Sequence, residues 1–300
     1  MSSAVESEGV VLGGLREAEL PVAPVRPPRG IARGIARRLA GIVFVFCLLG
    51  FMIGPIVWLA LRAFSGLWQY PRFLPATWTL NGWHQVFHDP NLSHSMKLSF
   101  EFAPVVTVAS AAICLPAAYA FSRFNFPGRR ILLVSLFATN AFPKIGLYIS
   151  MAGVFYSLNL MGTFLGVVII QLIGTIVFMT WIPTAAFSSI PRSLEEAARD
   201  VGAGPLRVFF RVTFPLAAPA IFVAMILSFL AAFDEAQGTF LVGIPNYITM
   251  PTEMYTLVLN YPEQAAAVFS ILLAIPSVVL MSFARKHVMG GKLAEGFQIR

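Results

Sequence analysis

Glu195-Glu196-Ala197-Ala198-Arg199-Asp200-Val201-Gly202, followed after nine residues by Val212-Thr213-Phe214-Pro215, is a charged island between two long apolar runs. Ser193 predicts a helix N-cap, with Glu195 and Glu196 in the first turn, where carboxylates favour the positive end of the helix dipole. Gly202, with Gly204 and Pro205 beyond it, predicts the end of that helix and a turn. A second short helix is expected through Leu206, Val208, Phe209, Arg211 and Val212, and Phe214-Pro215 then leads into the next apolar run. Two small helices joined by a glycine bend at a membrane surface make a knob suited to docking rather than to bond-making. Bond-making chemistry has little to start from. His84 and His88 are four apart, a spacing that can place two imidazoles on one helix face, but with His94 they lack a carboxylate or cysteine to complete a metal site. They are expected on an exposed polar helix ending in an Asp89-Pro90-Asn91 turn. There is no glycine-rich lysine loop for phosphate, catalytic triad or paired-carboxylate acid–base site in the sequence, so an enzyme is not expected.

The elements that must carry the knob are apolar. Hydrophobic residues make up 57% of the 300 positions and charged residues 12%, with a mean hydropathy of +0.77. Ordinary soluble chains carry about 25% charged residues. Runs long enough to cross a hydrocarbon core about 30 Å thick should be helices, because lipid leaves backbone polar groups no other partner. Six are expected: Ala40 to Leu61, Phe102 to Ser122, Ile131 to Leu158 with an interruption at Phe142-Pro143-Lys144, Phe164 to Pro183, Leu216 to Phe233, and Ala265 to Ala284. Residues 1–38 read as a disordered basic tail, and 39–300 as one all-α membrane domain with the knob at 190–215. Cys47 and Cys114 both fall inside spans, which supports neither a disulfide nor a zinc site.

Charge orients the spans. The net +7 is a weak argument for nucleic acid, because the basic residues cluster beside apolar runs. Seventeen of the 21 Lys and Arg lie on one side of the alternating topology, with Arg62, Arg72, Lys97 and Lys144 on the other. The positive-inside rule then puts both termini and the knob in the cytoplasm, and Trp68, Tyr70, Trp78 and Trp83 at the opposite interface. The expected location is a membrane that the chain crosses several times.

The knob resembles a known signature. Glu-Ala-Ala, three residues, Gly, nine residues, Ile, one residue, Leu-Pro is the coupling-loop motif of membrane subunits of binding-protein-dependent ABC importers. Glu196, Ala197, Ala198, Gly202 and Pro215 match it, with Val212 in place of Ile and Phe214 in place of Leu. Ala118-Tyr119-Ala120-Phe121-Ser122-Arg123, then Phe126-Pro127-Gly128-Arg129, is similar to a run in carbohydrate importers. So are Ile190-Pro191 and the Phe233-Asp234-Glu235 end of the fifth span. The resemblance covers about residues 75–290 and points to the second membrane subunit of the maltose importer. Phe233-Asp234 and the stretch Leu241 to Leu257 also resemble polyamine-type permeases, so polyamines or glycerophosphates stand as alternative solutes.

The resemblance implies a type I importer transmembrane domain and a companion membrane subunit. It also implies two separate ATPase subunits holding ATP and Mg, and an extracytoplasmic solute-binding protein. Lipid is the remaining partner, and no cofactor is expected on this chain. Glu195, Glu196, Ala197, Ala198, Asp200, Gly202 and Pro215 are the expected coupling residues. Along the solute path, Asn140, Tyr148 and Gln171 offer neutral hydrogen bonds, and Asp234 and Glu235 are candidates for an outer gate, since ionisable groups at membrane depth are costly. Gly243, Pro245, Asn246 and Pro251 are expected to shape a rigid outward loop within 238–261. A channel or secondary transporter would show a filter ring or ion-coupling carboxylates inside spans, whereas the charges here sit at span ends.

Overall fold

The structure, a computed structural model, describes residues 29–68, 71–139 and 141–289. Asn140, Tyr70 and most of the predicted tail lie outside the described residues. Among the described residues regular structure is helical, apart from one isolated bridge between Ser65 and Trp78.

The chain divides at Gly54 and Pro55 into two units. The first holds most of α1 (Arg29–Ala63). This helix starts well before Ala40, so residues 29–38, expected in the disordered tail, are helical. Arg, Ala and Ile are adequate helix formers, and the two glycines in that stretch cost only about 1 kcal/mol each. No proline lies between Pro28 and Pro55 to stop the helix.

The second unit contains α2 (Asn81–His88) and α3 (Pro90–Arg123), then α4 (Arg129–Ala138) and α5 (Lys144–Ser157), then α6 (Phe164–Ser189). The loop helices α7 (Arg192–Asp200) and α8 (Pro205–Val208) follow, with a π-helical segment (Phe209–Thr213) leading into α9 (Phe214–Phe233). The chain closes with α10 (Gln237–Gly243), α11 (Met250–Asn260) and α12 (Glu263–Met289). Five stretches among the described residues are long and apolar enough to cross a membrane: Arg38–Ala63, Pro90–Arg123, Phe164–Ser189, Pro205–Phe233 and Glu263–Ala284. The expected third span is split between α4 and α5, about 15 and 21 Å long, neither of which crosses by itself. Pro143 sets the break: it N-caps α5, lacks a backbone donor, and keeps Phe142 out of the helical region.

Helices α3, α6 and α9 pack against one another at the centre of this unit. Phe102 and Val106 of α3, Val167 of α6, Phe233 of α9 and Phe269 of α12 share one buried cluster. Ala118, Phe187, Ile190, Ala217 and Ile221 form another beside the knob. Midway, the Thr175 hydroxyl of α6 donates to Ser110 Oγ of α3 at 3.0 Å, a polar tie between apolar helices. Helix α3 begins at Pro90, not at Phe102. The expected Asp89-Pro90-Asn91 turn is a helix start, with Asp89 Oδ1 accepting from Asn91 N at 2.8 Å and Leu92 N at 3.3 Å and Pro90 in the first turn.

The same Asp89 ties α3 to the α11–α12 junction, its Oδ2 accepting from the Tyr261 hydroxyl at 2.9 Å. Glu253 of α11 is nearby and only 5% exposed. Burial first, and the Asp89 charge second, push its carboxyl above the usual value of 4.5. A carboxyl raised in this way holds its proton more tightly folded than unfolded, so stability falls as pH rises from about 4.5 through the folded value. Glu253→Gln keeps the shape and removes the ionisation. It is expected to raise the thermal midpoint of the detergent-purified protein near pH 8 and to leave it unchanged near pH 4. An equal shift at both pH values would assign the effect to packing.

Candidate functional site

The knob is held from behind by one buried carboxylate. Helix α7 starts at Arg192, with Pro191 as N-cap and no side-chain cap bond, so Ser193 lies inside the first turn instead of capping it. Pro191 has φ −57°, which directs the chain into a helix one residue earlier. Glu195 is the buried residue of α7, 4% exposed. Its Oε1 accepts from Arg123 Nε at 3.0 Å and from the Thr213 hydroxyl at 2.7 Å, and Arg123 Nη2 lies 2.8 Å from the same oxygen. Arg123 Nη1 donates to the Ile190 carbonyl at 3.2 Å, and Arg192 Nη2 donates to the Arg123 carbonyl at 2.9 Å. The end of α3, the end of α6, α7 and the π segment thus meet at one ion pair.

The other face of α7 is open. Glu196, Ala197 and Asp200 are exposed and Ala198 is half-buried. Around them stand exposed apolar side chains, Leu194 at 46%, Val201 at 85%, Leu206 at 74% and Phe210 at 62%. A shallow groove of about 150 Å³ between α3 and α7 is lined by Tyr119, Phe124, Arg192, Glu196 and Arg199, with Arg123 and Glu195 at its base. Glycine closes the helix: Gly202 N donates to Arg199 O at 2.8 Å and Ala203 N to Ala198 O at 3.1 Å, with Gly202 at φ +84°. This is the paired Schellman pattern, which needs a left-handed residue at that place. A Cβ at Gly202 would meet nothing within 4 Å, so backbone conformation is the requirement there and space is not.

The second knob helix is shorter than expected. Four residues of α8 pass into the π segment and then α9 without a break, and Phe214 N donates to Phe209 O, five residues back. Pro215 sits in the first turn of α9 with no N–H to give, and the wider π turn accommodates it.

The expected solute-path residues separate into two groups. Tyr148 of α5, Gln171 of α6 and Glu235 are brought together and buried, at 1%, 1% and 8% exposure. Glu235 accepts from Gly238 N at 2.7 Å and from Thr239 N and Oγ1 at 2.8 Å each, capping α10, and Gln171 Nε2 donates to Thr239 Oγ1 at 2.9 Å. Tyr148 lies beside the Glu235 carboxylate. Asp234 ends α9 with its side chain exposed and takes no part in this cluster. The loop expected to project from 238–261 is mostly packed down. Asn246 Nδ2 donates to Gly162 O at 2.9 Å, Gly162 N donates to Val242 O at 2.7 Å, and Met250, Pro251 and Leu257 are buried. The His84 and His88 rings stack 4.9 Å apart, and among the described residues no three His, Cys, Asp or Glu side chains are grouped to hold a metal.

Thr213 and Thr239 have no sequence signal of their own, and Arg123, though part of the 118–123 run, carries no sign of its partner. Arg123 lies 72 residues from Glu195, Thr213 fills an unspecified position of the motif, and Thr239 is one more hydroxyl in an apolar stretch.

Residues 112–289, which include the whole knob and its backing, match the model of the binding-protein-dependent transport system inner membrane component. The chain belongs to that family. It is a membrane permease subunit of an ABC importer, with several apolar helices passing through the membrane. The permease is 28% identical over 224 residues to the maltodextrin transport system permease protein MdxG of Bacillus subtilis, covering 73% of this chain and 81% of that one. It is 26% identical to the trehalose transport system permease protein SugB of Mycobacterium tuberculosis, covering 81% and 91%. It is 30% identical to the maltose/maltodextrin transport system permease protein MalG of Salmonella typhimurium, covering 66% and 70%. Its fold matches a chain of a bacterial ABC transporter that imports the acidic polysaccharide alginate, with a TM-score of 0.65 at 22% identity over 88% of this chain and 99% of that chain.

The buried cluster depends on a close approach of α10 to α6. A Cβ at Gly238 would lie 2.7 Å from Ile170 Cγ1 and 3.3 Å from both Glu235 carboxylate oxygens. Gly238→Val therefore has to displace α10, at an expected cost of about 1–3 kcal/mol by overpacking. Thermal unfolding of the purified permease should register it. Gly204→Val, where a Cβ meets nothing within 4 Å, is the matched comparison and should be near neutral.

Proposed function

We propose that this permease carries a sugar or sugar derivative from an extracytoplasmic binding protein across the bacterial inner membrane, driven by ATP that two separate ATPase subunits hold with Mg and hydrolyse. The carrying observation is the α7 knob. It is fastened from behind through Glu195 and presents Glu196 among exposed Leu194, Val201, Leu206 and Phe210. An apolar patch around exposed carboxylates suits a cleft on a partner with a basic group at its base. The ATPase subunit is that partner in this reading, reached by Glu196, Ala197, Ala198 and Asp200, while Gly202 and Pro215 set the angle of the knob. A companion membrane subunit completes the path, and Tyr148, Gln171 and Glu235 sit at its outer gate.

In this arrangement the chain spans the membrane six times, with α4 and α5 together making the third crossing and both termini in the cytoplasm. The seventeen-to-four division of Lys and Arg supports the orientation. Closure of the ATPases would draw the knobs of the two membrane subunits together and turn the cavity outward, as rigid bodies rocking about a fixed site. Sugar as solute is supported by relatives named for maltodextrin, trehalose and sulfoquinovosyl glycerol. A thermal-shift screen of the cognate binding protein against sugars, polyamines and glycerophosphates tests it: stabilisation by a polyamine alone would replace the sugar reading.

Orientation and coupling are tested on the permease itself. In intact cells, the cysteine of Ser193→Cys should be shielded from impermeant thiol reagents and that of Asn246→Cys should be labelled. Labelling of the first from outside would reverse the topology. Glu196→Ala should weaken retention of the ATPase on purification, since truncating one partner of a buried interfacial charge pair costs about 2–5 kcal/mol. Gly202→Asn should be tolerated and Gly202→Val should uncouple ATP hydrolysis from transport, because a β-branched residue disfavours the left-handed conformation.

A further inference from the structure

Resting on the coupling reading above, we propose that Arg123, Glu195 and Thr213 form a clamp that makes α7 move as one body with the adjoining ends of α3 and α9. They are then the positioning residues through which a load on the knob reaches the spans. Helix α7 has nine residues, and Glu195 is the one whose side chain is buried. Leu194, its large apolar residue, points outward, so apolar packing does little to seat this helix. On its two flanks the chain turns at Ile190-Pro191, where the buried Ile190 side chain holds the end of α6, and at Gly202 to Gly204, where no large side chain resists rotation. Between these turns α7 is held chiefly by Glu195 Oε1, gripped by Arg123 from α3 and by Thr213 from the segment that runs into α9, with Arg192 Nη2 adding one bond to the Arg123 carbonyl. Arg123 extends the grip to the end of α6 through the Ile190 carbonyl.

The geometry fits a force-bearing joint. Charge-assisted hydrogen bonds among buried groups are short, directional and unrelieved by water. Arg123 and Glu195 side chains are 7% and 6% exposed, so neither has solvent as an alternative partner. Thr213 is fully buried, and its hydroxyl joins α7 to the π segment where α8 and α9 fuse into one continuous helix. A displacement of the knob is therefore delivered to α9 along a stiff helix and to α3 through a planar guanidinium.

The test uses the assembled complex of this permease with its companion subunit and ATPases in lipid nanodiscs. In a Cys47→Ser background, Thr256→Cys on the exposed side of α11 carries a bimane reporter, and ATP with vanadate supplies the load. The reporter change is read per ATPase retained, so that losses in assembly divide out. Thr213→Val and Glu195→Gln should each reduce it about ten-fold, the weight of a hydrogen bond to a charged group. Thr213→Ser, which restores the hydroxyl, should return it to the unmodified level. A full response in Thr213→Val and Glu195→Gln overturns the clamp. Failure of Thr213→Ser to restore the response also overturns it, by assigning the loss to packing. The coupling reading fails separately, if the unmodified complex shows no response or if Glu196→Ala and Gly202→Val both couple normally.

Discussion

Arg123 and Glu195 lie where the ends of α3 and α6, the knob helix and the π segment before α9 converge, and little of the knob would stay in place without them. Withdrawing a guanidinium and a carboxylate from water costs several kcal/mol for each ion, and their attraction offsets this only when every remaining donor and acceptor finds a partner. Here Glu195 Oε1 takes Arg123 and Thr213 and Arg123 Nη1 takes the Ile190 carbonyl, while Arg123 Nη2 faces the same carboxylate oxygen at 2.8 Å without a hydrogen bond of its own. Removing one partner would leave the other charge buried, at a cost of about 3–5 kcal/mol. The pair thus specifies geometry more than it adds net stability. It lets α7 expose Leu194, Val201 and Glu196 to a partner without giving up its orientation.

A second constraint is the bilayer, which demands that backbone groups be satisfied within the chain. Most spans obey it as unbroken helices. The stretch from Arg129 to Ser157 does not, because Pro143 removes a donor and helix resumes only at Lys144. Such a break is tolerated where neighbouring helices surround it or a watery path passes it. Tyr148, one turn beyond the break, lies beside Glu235 and near Gln171 and Thr239. The break between α4 and α5 and the buried polar cluster are therefore one feature, with α10 held down on α6 by the absence of a side chain at Gly238.

Much of this architecture was legible in the residues. Apolar runs located the long helices, Pro143 located the break, and the Glu-Ala-Ala to Gly spacing located the knob and its left-handed bend, with φ +84° at Gly202. The readings that shifted did so at places where a local signal has two meanings. Asp89-Pro90 is a turn signal and equally a helix start, and the structure uses it to begin α3 twelve residues before Phe102. Ser193 is a good cap, but Pro191 starts α7 first. Gly243, Pro245 and Asn246 are loop formers, yet the loop they form is bonded to Gly162 instead of standing free.

The sequence by itself determined most of the long apolar helices and where a charged docking surface interrupts them, though not the short helices α10 and α11 within 238–261, because hydrophobicity, helix caps and prolines act within a few residues of themselves. Tertiary structure alone decided what the adjacent carboxylates do. Glu195 turns inward to Arg123, 72 residues away, and Glu196 turns outward, although one chemistry and one helix carry both. Asp234 and Glu235 divide in the same way, the second capping α10 and the first left exposed. The reason is physical: a buried charge takes its role from the partner that neutralises it, and that partner arrives only when distant helices pack.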